Sequence, residues 1–177
     1  DVQPTFCEGG ALAVQGGNAI AEAVARFVDE HRGDYALIAT TQDWHIDPGT
    51  HFSDSPDFVD TWPPHGVAGT PEAELHPALA RVNAQVSVKK GQYEAAYSGF
   101  EGTTEDGKTL EQALRDAGIT DVDVVGLAES HCVASTAIDA AHAGFATRVL
   151  SDLTVPVSEE LGKAAREKMR TEGVTLV

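Results

Sequence analysis

Basic residues are scarce in this chain of 177 residues: 12 Lys and Arg stand against 28 Asp and Glu, a formal charge of −16. No basic block interrupts that acidic background, so nucleic acid and anionic membrane surfaces are not expected partners. Long apolar runs are missing as well. No stretch approaches the ~20 residues that span a bilayer, and no charged start followed by an apolar segment marks export. Cysteine is limited to Cys7 and Cys132, which argues against a disulfide scaffold and for a soluble, cytoplasmic protein. Internal repeats and low-complexity tracts are absent. The length fits one domain over residues 1–177 with room for a sizeable core.

What is present is an alternation of helix and strand patterns. Ile20, Val24, Phe27 and Val28 recur at helical spacing, and Gly33 ends that pattern before Tyr35–Thr41, an apolar run that reads as a buried strand. An irregular stretch from Asp43 to about Leu75 holds five of the eight prolines. Loops of that length inside a compact domain are usually functional or disordered. Val86–Val88, Val122–Ala128, Ala146–Leu150 and Val174–Val177 read as strands, and Leu110–Ala117, Cys132–Ala143 and Ser158–Thr171 as helices. The alternation predicts an α/β fold, doubly wound in three layers, with a mainly parallel sheet and helices on both faces. Such a sheet is expected to open with a strand, and none precedes Asp1, so a first strand upstream of Asp1 is expected.

In open parallel sheets the ligand site lies beyond the carboxyl ends of the strands. Asp43 follows the strand ending at Thr41, Lys90 follows Val86–Val88, Cys132 follows the strand ending at Ala128, and Asp1 would follow the expected first strand. These groups converge on one edge. Cys132 also stands where a helix begins, and helix-start amides favour the thiolate. A carboxylate there can take the thiol proton and pass it to a leaving amine, while the ammonium steadies the charges. The competing reading of Cys132 is an inert, packed thiol. Lys89 competes with Lys90, but strand alternation sends the two to opposite faces.

The second constellation is Asp43-Trp44-His45, then His51 and His65. Asp43 and His45 project to one side of an extended segment, and Pro48-Gly49 can turn the chain so that His51 comes alongside. Three imidazoles and one carboxylate suit one divalent metal ion, Zn²⁺, Fe²⁺ or Mn²⁺, with water in the remaining positions. His31, His76 and His142 read as structural or exposed. His131, beside Cys132, is not expected to pair with it, because adjacent residues at a helix start point apart.

Several separated motifs then agree in identity and order: Asp1-Val2-Gln3 with Phe6, Asp43-Trp44-His45 with His51, Trp62-Pro63-Pro64-His65, Lys90-Gly91, Tyr97-Ser98-Gly99-Phe100 and Ser130-His131-Cys132-Val133. Over essentially its whole length the chain resembles the bacterial nicotinamidase/pyrazinamidases of the isochorismatase-like cysteine hydrolases. The resemblance implies that Asp1, Lys90 and Cys132 are catalytic acid/base, lysine and nucleophile. It also implies that Asp43, His45, His51 and His65 hold a metal that binds the substrate's ring nitrogen. Phe6, Trp62 and Tyr97 match aromatic pocket positions, and the amides of Ala128 and Cys132 match an oxyanion hole beside a cis Leu127–Ala128 bond. The implied reaction is hydrolysis of nicotinamide to nicotinate and ammonia, and of pyrazinamide to pyrazinoate, by a monomer or homo-oligomer with a small-molecule partner. An isochorismatase-like hydrolase of another small amide and a non-catalytic ligand-binding relative are the alternatives. The chain departs from the usual pattern at Pro4-Thr5, at Gly66, where a cysteine often follows the histidine, and at Glu129-Ser130, where Thr-Asp is frequent.

Overall fold

A computed structural model describes all 177 residues. In chain order the main elements are α1 (Gly17–His31), β1 (Ala39–Asp43), β2 (Val86–Lys90), α2 (Leu110–Asp116), β3 (Asp121–Leu127), α3 (Ala134–His142), β4 (Ala146–Val155), α4 (Glu159–Thr171) and β5 (Thr175–Leu176). All strand pairs are parallel: β1 with β2, and β3 with β4, which pairs in turn with β5. This is the α/β alternation expected from the sequence.

The boundaries differ where pairing decides them. The expected strand over Tyr35–Thr41 begins only at Ala39, where the ladder to Val86 starts, and it runs on to Asp43. Tyr35 instead donates its hydroxyl to Asp123 at 2.6 Å. The β2 strand likewise extends to Lys90, so Asp43 and Lys90 are not loop residues. They are cross-strand partners in the last rung of the β1–β2 ladder. Strand β4 continues past Leu150 to Val155 after a register shift opposite Val124 and Gly126. The helix expected from Cys132 begins at Ala134, and Cys132 lies in a single π-helical turn, Glu129–Val133.

Local signals start the later helices. Thr109 and Gln112 form a reciprocal capping box at the start of α2. The Ser158 hydroxyl accepts the Leu161 amide at the start of α4. Helices α3 and α4 close over β4 through Ala137, Ile138, Val149, Ala165 and Met169. A separate cluster of Val2, Ala21, Leu79 and Val82 joins the chain start to α1 and the short 3₁₀ segment Pro77–Arg81. Fully burying an aliphatic side chain of this size contributes ~1.5–3 kcal/mol, so these clusters fix which strand ends face one another.

Between β1 and β3 runs an apolar cleft of about 980 Å³, with Leu37–Thr41 on one wall and Val122–Val125 and Leu127 on the other. Asp1 and Cys132 also line it. No helix is long and apolar enough to cross a membrane.

Candidate active site

The chain start, the end of β2 and the turn after β3 bring Asp1, Lys90 and Cys132 to one point. Lys90 Nζ lies 3.1 Å from Asp1 Oδ2, 3.7 Å from Cys132 Sγ, and also pairs with Asp43 Oδ1. Oxygen atoms of Asp1 and Asp43 and the Cys132 sulfur all fall within 4.8 Å of one another. Thr41 donates its hydroxyl to Asp1 Oδ1 at 2.6 Å and so orients that carboxylate. Lys90 is fully buried. A buried ammonium survives only with anionic partners, and here two carboxylates supply them. Lys89, one residue earlier, places its ammonium over the Trp44 ring instead.

Burial opposes every charge in this cluster, and the net directions show which effect wins. For Lys90 burial is outweighed by Asp43 and Cys132, so its pKa rises and the ammonium persists. For Asp43 burial is outweighed by Lys90 and by the neighbouring imidazoles of His45 and His65, which hold the carboxyl well below its ordinary range. For Cys132 burial dominates the pull of Lys90, and the thiol is pushed up. The expectation that a helix start would keep Cys132 as thiolate is thereby reversed. The Asp1 carboxylate stands within 4.8 Å of the sulfur.

The second constellation is also assembled. His45, His51 and His65 are buried, each offering a ring nitrogen within 4.8 Å of the others. His45 Nδ1 contacts the Gly91 carbonyl at 2.6 Å and His65 Nδ1 contacts the Pro63 carbonyl at 2.8 Å. These contacts turn both Nε2 atoms toward Asp43 Oδ2, at 3.4 and 3.6 Å. Carbonyl partners of this kind fix the tautomer of metal-binding histidines. His45 Nε2 and His51 Nδ1 are buried with no hydrogen-bond partner. Burial, with His45 and His65 nearby, lowers His51 to about 4, so its imidazole is neutral at neutral pH, the form that binds metal. The donor set fits a divalent cation.

Backbone crowding shapes this nest. At Gly91, with φ +71°, an added Cβ would lie 2.5 Å from His45 Cε1; at Gly66, with φ +51°, it would lie 2.8 Å from the Asp43 Cβ. Glycine at 66 is therefore a packing requirement of this chain.

Aromatic rings pack beside the histidines. Trp62 donates its indole N–H to the Tyr97 hydroxyl at 2.9 Å, and Phe6 lies 5.9 Å from the His65 ring. His131 does not reach Cys132 as a hydrogen-bond partner. Its ring instead packs edge-on to Trp62 at 5.5 Å. The peptide bond between Leu127 and Ala128 is cis. Reading the sequence missed the orienting role of Thr41 and the anchoring role of Gln3. Gln3 is buried and bonds both backbone groups of Asp43 and the Ala73 carbonyl. Its place in the Asp1-Val2-Gln3 motif was the available signal.

A parallel α/β sheet with a thiol, lysine and carboxylate at its strand ends defines a class, and comparison with known proteins agrees. The isochorismatase domain family matches residues 1–177, and the chain belongs to it. Within that family it is 52% identical over 177 residues to the nicotinamidase/pyrazinamidase of Mycobacterium tuberculosis, covering 100% of this chain and 95% of that relative. Among solved structures, the pyrazinamidase of Pyrococcus horikoshii in complex with zinc is similar, with a TM-score of 0.82 and 34% identity, covering 100% of this chain and 94% of that one. A protein from L. infantum solved in complex with nicotinate gives a TM-score of 0.83 and 31% identity, covering 100% and 88%.

Proposed function

We propose that this chain is an amidase that hydrolyses nicotinamide to nicotinate and ammonia, and pyrazinamide to pyrazinoate, through a thioester on Cys132. The observation that carries the reading is Lys90, a buried ammonium in contact with both the Cys132 thiol and the Asp1 carboxylate, beside three clustered imidazoles, two of them with a buried ring nitrogen that has no partner. The similarity to the mycobacterial nicotinamidase/pyrazinamidase supports it.

Asp1 takes the Cys132 proton, and the sulfur attacks the carboxamide carbon. The Ala128 and Cys132 amides receive the oxyanion. Asp1 returns its proton to the leaving nitrogen as the C–N bond breaks, and ammonia departs. Water, deprotonated by Asp1, then splits the thioester and regenerates the thiol. Lys90 holds the two carboxylates and the sulfur in fixed relation throughout, a positional contribution. Phe6, Trp62 and Tyr97 confine the aromatic ring. A divalent ion such as Zn²⁺, Fe²⁺ or Mn²⁺, held by Asp43, His45, His51 and His65, would supply a Lewis-acid anchor for the ring nitrogen.

The same reading makes residues 1–177 one catalytic domain acting in the cytoplasm on a small molecule, in salvage of nicotinamide toward NAD. Ammonia release from nicotinamide, measured with and without a strong chelator and after metal return, tests the reading. Turnover that falls on chelation and recovers with metal supports both halves of the site. Metal-replete protein without turnover on nicotinamide sinks the assignment.

A further inference from the structure

We propose that Arg166 and Glu129 form a positioning pair that sets the turn carrying Cys132, a role resting on Cys132 as the nucleophile. Glu129 is the first residue of the π-helical turn Glu129–Val133 and is buried. From the middle of α4, Arg166 reaches across and grips its carboxylate with a two-pronged fork: Nε to Oε1 at 2.8 Å and Nη2 to Oε2 at 2.8 Å. The third nitrogen, Nη1, reaches Glu159 at 3.3 Å.

A second tie follows at the next residue. The Ser130 hydroxyl accepts the Val157 amide at 3.1 Å, so the β4–α4 connection and the helix itself both hold the turn from outside. From inside, the Ala128 carbonyl accepts the His131 and Val133 amides at 3.1 and 3.2 Å. Gly162, one turn before Arg166 in α4, makes the reach possible. A Cβ there would stand 3.1 Å from Arg166 Nη2 and 2.7 Å from the Pro156 ring.

Stability alone does not call for this arrangement. Replacing a buried ion pair by well-packed apolar residues is often neutral or stabilising. What the fork adds is direction, because bidentate Arg–carboxylate bonding fixes orientation as well as distance. Glu129 lies between Ala128 and Cys132, the two residues whose amides receive the oxyanion, so a shift of Glu129 is passed to both. π-turns of this kind recur at functional sites.

The decisive variant is the double replacement Glu129→Leu with Arg166→Met, which removes both charges and keeps apolar bulk. The expected result is a melting temperature within a few degrees of wild type. The kcat on nicotinamide should fall about 10- to 100-fold, the loss expected for a misplacement near 1 Å. KM should stay within about threefold, because ground-state binding of the ring does not depend on the oxyanion geometry. Arg166→Lys keeps the charge and loses the fork, and should give an intermediate kcat; if the double variant does not fold, this one decides. A kcat within about threefold of wild type in the folded variants overturns the positioning role. An inactive wild type overturns the amidase reading, and a Cys132→Ala protein that keeps its activity overturns Cys132 as the nucleophile, so both failures are distinct from that of the positioning role.

Discussion

Replacing Lys90 by methionine keeps most of the side-chain length, deletes its charge, and leaves Asp1 and Asp43 facing each other in a buried site. Lys90 is fully enclosed and bonded to both carboxylates. Removing one partner of a buried ion pair costs about 3–5 kcal/mol, because the remaining charges lose their compensation. Total stability of a domain is ~5–15 kcal/mol, so the loss is a large share of it. With a urea dependence of about 2 kcal/mol per molar, the unfolding midpoint drops by roughly 2 M.

The pH dependence carries the sharper signature. In the wild type Asp43 is held well below its ordinary pKa, so its contribution is present above the unfolded value and is lost only as pH falls through the depressed folded value. In the variant the two carboxylates repel and their folded values rise above the unfolded ones. The folded state then binds more protons, and stability increases as pH falls from neutral. Urea unfolding of chelated protein at about pH 7.5 and about pH 5.5 should therefore show a large deficit that shrinks at the lower pH. Equal midpoints for variant and wild type at both pH values would refute the reasoning.

Four further outcomes are expected. Cys132→Ala should lower ammonia release by at least about a thousandfold while calorimetry still detects nicotinate binding; retained turnover would exclude the thiol. Burial raises the Cys132 pKa, so the alkylation rate should keep climbing with pH beyond the ordinary thiol value near ~8.5, and a plateau below it would contradict that direction. Gly91→Ala drives a methyl into the His45 ring and should weaken metal binding by about 10- to 100-fold in a chelator competition, whereas unaltered affinity would show that the nest tolerates a side chain. Thr109→Ala removes the cap of α2, far from the site, and should cost ~1 kcal/mol, a melting shift of about 3 °C with kcat unchanged.

Much of the fold was legible because periodicity survives in the chain. The α1 stripe, the Val122–Ala128 run and the α4 pattern are strong local signals. Pairing was not legible. Nothing in Tyr35–Thr41 tells that its ladder begins at Ala39, since that depends on where Val86 arrives from about 47 residues away. The candidate site was readable as residue types at strand ends, and the geometry brings Asp1, Lys90 and Cys132 together along with Asp43, His45, His51 and His65. The protonation state of Cys132 was not readable, because helix-start amides are visible in sequence order and desolvation is a property of the packed whole. The grip of Arg166 on Glu129 joins residues 37 apart in sequence and leaves no local pattern.

Gly66 and Gly91 have no side chain to offer the site, yet each leaves the volume that a buried group of the histidine cluster or Asp43 occupies. In a genetic screen for loss of activity, such positions would score beside the ligands themselves, through many different replacements. A candidate ligand such as His51 admits loss by any change that removes its nitrogen, whereas these two admit loss by any change that adds an atom. Inactivating lesions in this chain should therefore outnumber its chemical groups, with a share of them at residues that have no side chain to lose.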